Sequence, residues 1–300
     1  MIRFLDKDLS SPLFISSGIV AELDTFKDLS LDPYGFVILK TVTLKPRDGN
    51  PPPRVWDGRC AMFNSIGLAN EGLKAFLETT LPKLEEFPLP VVVSISPFSL
   101  SEVEEFLPLF HQNIWAIELN LSCPNVEHGH NRLISQDIEF SRKIVSKVRA
   151  NFRGKLIVKV SPEMDNLPAL AMALVDEGVD ALDVANTYPG LVLDVEQARP
   201  IFSRIFAGVS GPAILPLTLK RIWEVYESVD VPILGSGGVL DWKDAISMAL
   251  SGAAVVGIGS ALYRDPHVGN NIWDGIKEYL NRKSLSWREI IGLAHDVVSQ

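Results

Sequence analysis

Short runs rich in Val, Ile and Leu alternate with longer amphipathic stretches from one end of this chain to the other. The runs predict strands at residues 13–17, 36–41, 91–96, 115–122, 156–161, 181–186, 232–235 and 255–259. Their near-continuous apolarity is the pattern of parallel strands covered on both faces, because a half-exposed antiparallel strand alternates apolar with polar. Between them, apolar positions recur at helical spacing over residues 71–87, 101–112, 136–152, 167–177, 217–228 and 242–251. Ser101 reads as a helix-opening residue, and Gly178 and Gly252 as residues that close helices. Eight such units in 300 residues predict an α/β fold, a (β/α)8 TIM barrel. No linker or shift in composition interrupts the alternation, so residues 1–300 are expected to form a single domain. The connection from residue 42 to about residue 70 is too long for a plain loop and carries PPPR at 51–54. Such segments often act as lids or bind ligands.

Barrels place their chemistry at the C-terminal ends of the strands. The fourth predicted strand continues into Asn120, Ser122, Cys123 and Asn125, with Pro124 breaking it. A lone Cys is usually a packing residue, but a thiol flanked by two amides and a hydroxyl points to a reactive site. The first strand ends in Ser16, Ser17 and Gly18, small enough to admit a flat ligand to the backbone. The second, third and sixth end in Lys40-Thr41, Ser94 and Asn186-Thr187. Lys159 lies within the fifth strand, between Val158 and Val160. A closed barrel has no edge where it reaches water, and an unpaired buried ammonium is costly, so an anionic ligand is its expected partner. The seventh and eighth strands end in GSGG (235–238) and GIGS (257–260). Paired Gly-rich turns at these two strands are a phosphate-binding arrangement. Together these features fit a phosphorylated planar cofactor such as FMN, with Lys159 stabilising the negative charge that reduction places at N1/O2.

The net charge of −9 and the lack of basic runs argue against a nucleic-acid partner. No run reaches the roughly 18 apolar residues of a membrane span. The N-terminus, MIRFLDKDLS, is charged where a signal peptide is apolar, which predicts a cytoplasmic protein. The two cysteines, Cys60 and Cys123, form no metal-binding cluster and are expected to be free thiols. A [2Fe–2S] cluster usually takes four Cys ligands, so this chain cannot hold one alone.

The motifs ISSG (15–18), LKTVT (39–43), NSIGLAN (64–70), ELNLSCPNV (118–126), VKVSP (158–162), ANT (185–187) and GVSGPAILP (208–216), with the two Gly-rich turns, carry a family resemblance in order and spacing. The chain resembles the class 1 dihydroorotate dehydrogenases over nearly its whole length. That resemblance implies an FMN enzyme on a (β/α)8 barrel that oxidises (S)-dihydroorotate to orotate in pyrimidine synthesis. It implies Cys123 as the base, with Asn64, Asn120, Asn125, Asn186 and Thr187 on the pyrimidine. It also implies that Lys40 contacts both flavin and substrate, and that Asn64, Ser65, Ile66, Gly67 and Leu68 close over the orotate carboxylate. For FMN the matching positions are Ser17, Thr41, Ser94, Asn120, Lys159, Ala185, Gly211, Gly237, Gly238, Gly259 and Ser260. GVSGPAILP and LVLDVE (191–196) look like the NAD-linked branch. The branch implies a homodimer paired with a subunit carrying FAD and a [2Fe–2S] cluster, hence a heterotetramer. The loop EHGHNRLIS (127–135), by resemblance the lid over Cys123, departs from the more Gly-rich sequence usual in that branch. The residues alone leave other readings open: a dihydropyrimidine dehydrogenase or dihydrouridine-type flavin reductase, a flavin-free isomerase or aldolase using Lys159, and a non-catalytic binding subunit.

Overall fold

Eight short parallel strands close into a barrel in chain order: β1 (Leu13–Ile15), β2 (Phe36–Ile38), β3 (Val91–Ile95), β4 (Ala116–Asn120), β5 (Lys155–Lys159), β6 (Ala181–Val184), β7 (Ile233–Ser236) and β8 (Ala253–Ile258). The computed structural model describes residues 2–19, 29–122 and 134–298. Each strand corresponds to one of the eight predicted runs, so the sequence expectation of a TIM barrel holds.

The alternation of side chains along each strand sorts the barrel into layers. Phe14, Phe36, Val92, Ala116, Ile157, Ala181, Leu234 and Val255 supply one residue from each strand to a buried apolar cluster. Phe4 and Leu9 of the N-terminal hairpin Ile2–Phe4/Lys7–Leu9 join it and seal that end. Phe36 stacks on Phe4 and on Phe14, with ring centroids 5.6 and 4.8 Å apart. Two residues further along, the same faces carry Ser16, Ser94, Glu118, Lys159, Asp183, Ser236 and Gly257. The barrel interior therefore turns from apolar to polar within one pleat. The intervening residues, among them Ile15, Val37, Val93, Ile117, Val158, Leu182 and Val256, pack in the larger core beneath the helices.

Five of those helices are α1 (Ile138–Asn151), α2 (Leu167–Asp176), α3 (Leu215–Tyr226), α4 (Trp242–Leu250) and α5 (Val268–Lys283). Asp137, Asn166 and Asp241 cap α1, α2 and α4 by accepting from backbone N–H groups of the first turn. Gly178 and Gly252 follow α2 and α4 at φ +88° and +118°, the helix-closing positions that the sequence predicts.

Two predicted helices are less regular than expected. Over 71–87 the chain forms Gly72–Ala75, a π-turn at Phe76–Thr80 and a 3-10 turn at Leu81–Lys83. Thr79 Oγ1 donates back to the Ala75 carbonyl, and Pro82 lacks an N–H, so regular bonding lapses there. Over 101–112 the helix divides into Leu100–Glu105 and Leu107–Phe110, with Pro108 in the first turn of the second piece. Its opening residue is Ser99, which accepts from Glu102 N at 3.1 Å; Ser101 already lies inside the helix.

A four-stranded antiparallel sheet comes from two connections on the C-terminal side of the barrel. Val55–Asp57 and Met62–Asn64, from the long connection after β2, lie beside Phe206–Ser210 and Tyr188–Leu191, from the connection between β6 and β7. Among the described residues no helix is long and apolar enough to cross a membrane. No group of three His, Cys, Asp or Glu side chains among them suits a metal ion.

Candidate active site

The C-terminal mouth of the barrel opens into a cleft of about 1260 Å³, including its solvent-filled entrance. One flank is glycine-rich. Gly237 and Gly238 follow β7, and Gly259 and Ser260 follow β8; all four line the cleft. Gly238, at φ +93°, lies so close to α3 that a Cβ would sit 2.6 Å from the Leu215 backbone. Beside the turn after β8, Ser17 and Gly18 also face the cleft, and a Cβ at Gly18 would meet nothing within 4 Å. These bare backbone surfaces leave a slot suited to a flat ligand with an anionic end.

The other flank is polar and held by a continuous set of hydrogen bonds. Asn120 Nδ2 donates to Thr41 Oγ1 at 3.1 Å, Thr41 and Ser94 share a hydroxyl bond of 2.9 Å, and Ser94 Oγ donates to Glu118 Oε1 at 2.7 Å. Asn120 Oδ1 accepts from both the N–H and the hydroxyl of Ser122 at 3.1 Å. Asn186 Nδ2 donates to the Ser122 carbonyl at 3.0 Å and to its hydroxyl at 3.1 Å. Ser122 is thus clamped from β4 and from the end of β6. Asn64, on the antiparallel sheet, donates to the Gly208 carbonyl at 3.4 Å and faces the same space. Lys40 lines the cleft, and burial, with help from nearby Arg54, pulls its pKa down. Arg54 is itself held by the carbonyls of Asn50 and Asp48.

Most of the residues singled out from sequence converge here. Ser17, Lys40, Thr41, Asn64, Asn120 and Lys159 line the cleft, as do Ile66, Gly67 and Leu68. Ala185, Asn186, Thr187, Gly237, Gly238, Gly259 and Ser260 complete that group. Three others do not reach it. Ser65 turns away to Asn50, whose amide donates to the Ser65 hydroxyl at 3.0 Å. Ser94 lies one layer deeper, behind Thr41. Gly211 borders a small neighbouring hollow with Pro212 and Arg264. Cys123 and Asn125, with most of the 127–135 loop, fall outside the described residues. Cys60 is a free, exposed thiol.

Lys159 has a different partner from the one its position in the sequence predicts. Its Nζ is 2.8 Å from Asp183 Oδ2 and 3.9 Å from Glu118 Oε2, so the protein balances this cation from within. Burial alone would pull the ammonium's pKa down, but Asp183 and Glu118 outweigh it and hold the pKa above the usual lysine range. The opposite happens to Glu118. Burial pushes its pKa up to about 8; Lys159 opposes the shift, whereas Asp183 adds to it. Neither acid stands out among the apolar residues of its strand in the sequence. Their signal was parity: Glu118 shares the inward face of β4 with Asn120, and Asp183 stands directly opposite Lys159 in the β5–β6 register.

Comparison with known proteins agrees with this geometry. The family model "Dihydroorotate dehydrogenase" matches residues 1–280. A relative from Desulforudis audaxviator, "Dihydroorotate dehydrogenase B (NAD(+)), catalytic subunit", is 35% identical over 291 residues, covering 96% of this chain and 94% of its own. Proteins of the same name from Bacteroides thetaiotaomicron and Geotalea uraniireducens are 34% and 36% identical over 288 residues. Each match covers 95% of this chain, with 95% of the first relative and 94% of the second. With a barrel and a cleft built as described and with matches along almost its full length, the chain belongs to the dihydroorotate dehydrogenase family.

Proposed function

We propose that this chain oxidises (S)-dihydroorotate to orotate in pyrimidine biosynthesis, as the FMN-binding catalytic subunit of a cytoplasmic, NAD-linked enzyme. The observation that carries this reading is the convergence of Lys40, Asn64, Asn120 and Asn186 with the glycine-rich turns after β7 and β8 in one cleft. The residues present suit FMN. The slot beside Gly18 takes a planar ring, and the turns at Gly237–Gly238 and Gly259–Ser260 offer an anion site. Ser236 Oγ, buried beneath them without a hydrogen-bond partner among the described residues, is a polar atom that a ligand in the cleft can satisfy. The charge on Lys159 also favours this reading over an aldolase, because a Schiff base needs a neutral amine.

When bound, FMN supplies a two-electron acceptor for the hydride leaving substrate C6. The chain does the remaining work. Cys123 Sγ takes the C5 proton, which requires surroundings that favour the thiolate. Asn120 and Asn186 fix Ser122, the residue immediately before this base, and so set where the strand ends. Among the described residues Asn120 Nδ2 donates to Thr41, and its second N–H would suit a ring carbonyl. Asn64, held on the antiparallel sheet, would offer a further amide to the pyrimidine. Lys40, which lines the cleft, would supply a cation to substrate and cofactor. Leu68, with φ +55°, shapes the turn that follows Asn64 and brings backbone from residues 66–68 to the cleft.

The purified chain should be yellow and should couple dihydroorotate oxidation to dye reduction, with dihydrouracil a much poorer substrate. Cys123→Ala should lower that rate by about 10²–10⁴-fold while the flavin spectrum persists. Full activity in this variant would overturn the assignment of the base.

A further inference from the structure

Directly under the cleft, three consecutive strands place three ionisable groups in one interior layer: Glu118 on β4, Lys159 on β5 and Asp183 on β6. Both carboxylates are fully buried. One ammonium can balance one carboxylate, so the fully ionised cluster would carry an uncompensated buried negative charge, which is strongly unfavourable. One proton removes it. The geometry identifies its carrier. Asp183 Oδ2 holds the ammonium at 2.8 Å, whereas Glu118 Oε2 is 3.9 Å away. Glu118 Oε1 already accepts from Ser94; Oε2, like Asp183 Oδ1, accepts no hydrogen bond from a donor among the described residues, so a proton on Oε2 is shared with the Asp183 carboxylate.

We propose that Glu118 and Asp183 are positioning residues for Lys159 and form a proton-holding pair that sets the charge the barrel floor presents to the flavin. The inference rests on reading the cleft as the FMN site. With Glu118 protonated the cluster is neutral; with Glu118 ionised it carries one negative charge. The charged groups that face Glu118 are Lys159 from β5 and Asp183 from β6, and β3 contributes the Ser94 hydroxyl. Burial holds the Glu118 proton up to about pH 8. Lys159 lines the cleft, so the negative charge that reduction would add to a flavin bound there would be opposed by an ionised Glu118, and the flavin's potential would fall.

Two measurements on the flavin-loaded protein test this. The first is isotope-edited infrared spectroscopy of the parent chain and of Glu118→Gln. A protonated carboxylic acid band should be present at neutral pH, disappear as pH rises past about 8, and be missing from the variant. Its absence from the parent at neutral pH would overturn the proton-holding pair, whether or not any variant folds. The second is the midpoint potential of bound FMN against pH. The parent should show an added downward bend near the same pH that Glu118→Gln lacks. Identical curves for the two proteins would overturn the link to the flavin. A colourless parent that FMN cannot reconstitute would overturn the cofactor reading itself, and the infrared measurement would still decide the pair.

Discussion

Glu118 combines complete burial with a short hydroxyl bond and an acidic neighbour, so its protonation state differs between the folded and unfolded chain. Unfolded, it titrates near the ordinary value of 4.5; folded, near about 8. Between those values the folded chain keeps a proton that the unfolded chain has released. Stability rises with pH only where the unfolded state binds more protons, so this group makes stability fall as pH rises through the window. Glu118→Gln keeps the shape and removes the titration. Chemical unfolding at a series of pH values should therefore show a shallower decline for the variant than for the parent across the window. Parallel declines would mean that the buried acid is already ionised. Lys159 belongs to the same cluster, and its charge survives burial because Asp183 is within 3 Å, at 2.8 Å.

The loop between β7 and α4 shows how an element is constrained by its neighbour. Gly238 has φ +93°, a region that costs an L-residue about 1–2 kcal/mol, and a Cβ there would press on the first-turn backbone of α3. Backbone cannot move aside as a flexible side chain can. Gly238→Ala should displace this turn and weaken FMN retention by about tenfold or more, at 1.4 kcal/mol per decade. Gly178, which closes α2 at φ +88°, is a control of the same backbone type far from the cleft. Gly178→Ala should lower stability and leave flavin affinity unchanged. Fluorescence titration of the released flavin separates the two cases, and equal retention in both variants would remove the cofactor role of the turn after β7. The antiparallel sheet carries a parallel lesson. It brings Asn64 from one connection against Gly208 from another, so the side of the cleft proposed to hold the pyrimidine depends on two segments 144 residues apart.

At the scale of the whole molecule, the question is where the electrons go. The chain has two cysteines, too few for a [2Fe–2S] cluster. No dinucleotide-binding fingerprint is visible in the sequence. The isolated protein should therefore reduce artificial dyes with dihydroorotate but reduce NAD only when a second subunit supplies FAD and a cluster. Assays of the lone chain offering NAD and fumarate separately check this. Brisk NAD reduction would remove the need for a partner, and brisk fumarate reduction would assign another acceptor. Leu191 and Phe206, cross-strand neighbours in the antiparallel sheet, are 47% and 60% exposed, an apolar surface near the cleft mouth.

Local chain chemistry suffices to place the strands, the barrel and the order of polar groups at the strand ends. Each depends on local information: apolar runs set where strands form, and a period of two sets which side chains face inward. Residues such as Lys40, Asn120, Asn186 and Gly238 were legible because a strand end or a glycine-rich turn already says where the side chain or backbone points. Helix α5 carries the same local signal, with Val268, Ile272, Ile276 and Leu280 at four-residue spacing. Which groups meet across the barrel depends on how the closed fold pairs its strands. Asp183 is 24 residues from Lys159, and Glu118 is 41 residues before it; neither spacing announces a contact. Register and closure make them neighbours. The same holds for Ser65, which turns to Asn50, and for the antiparallel sheet over the mouth. Strand parity is written along the chain, whereas a pairing partner is chosen by the free energy of burying charges and backbone groups together in the closed fold.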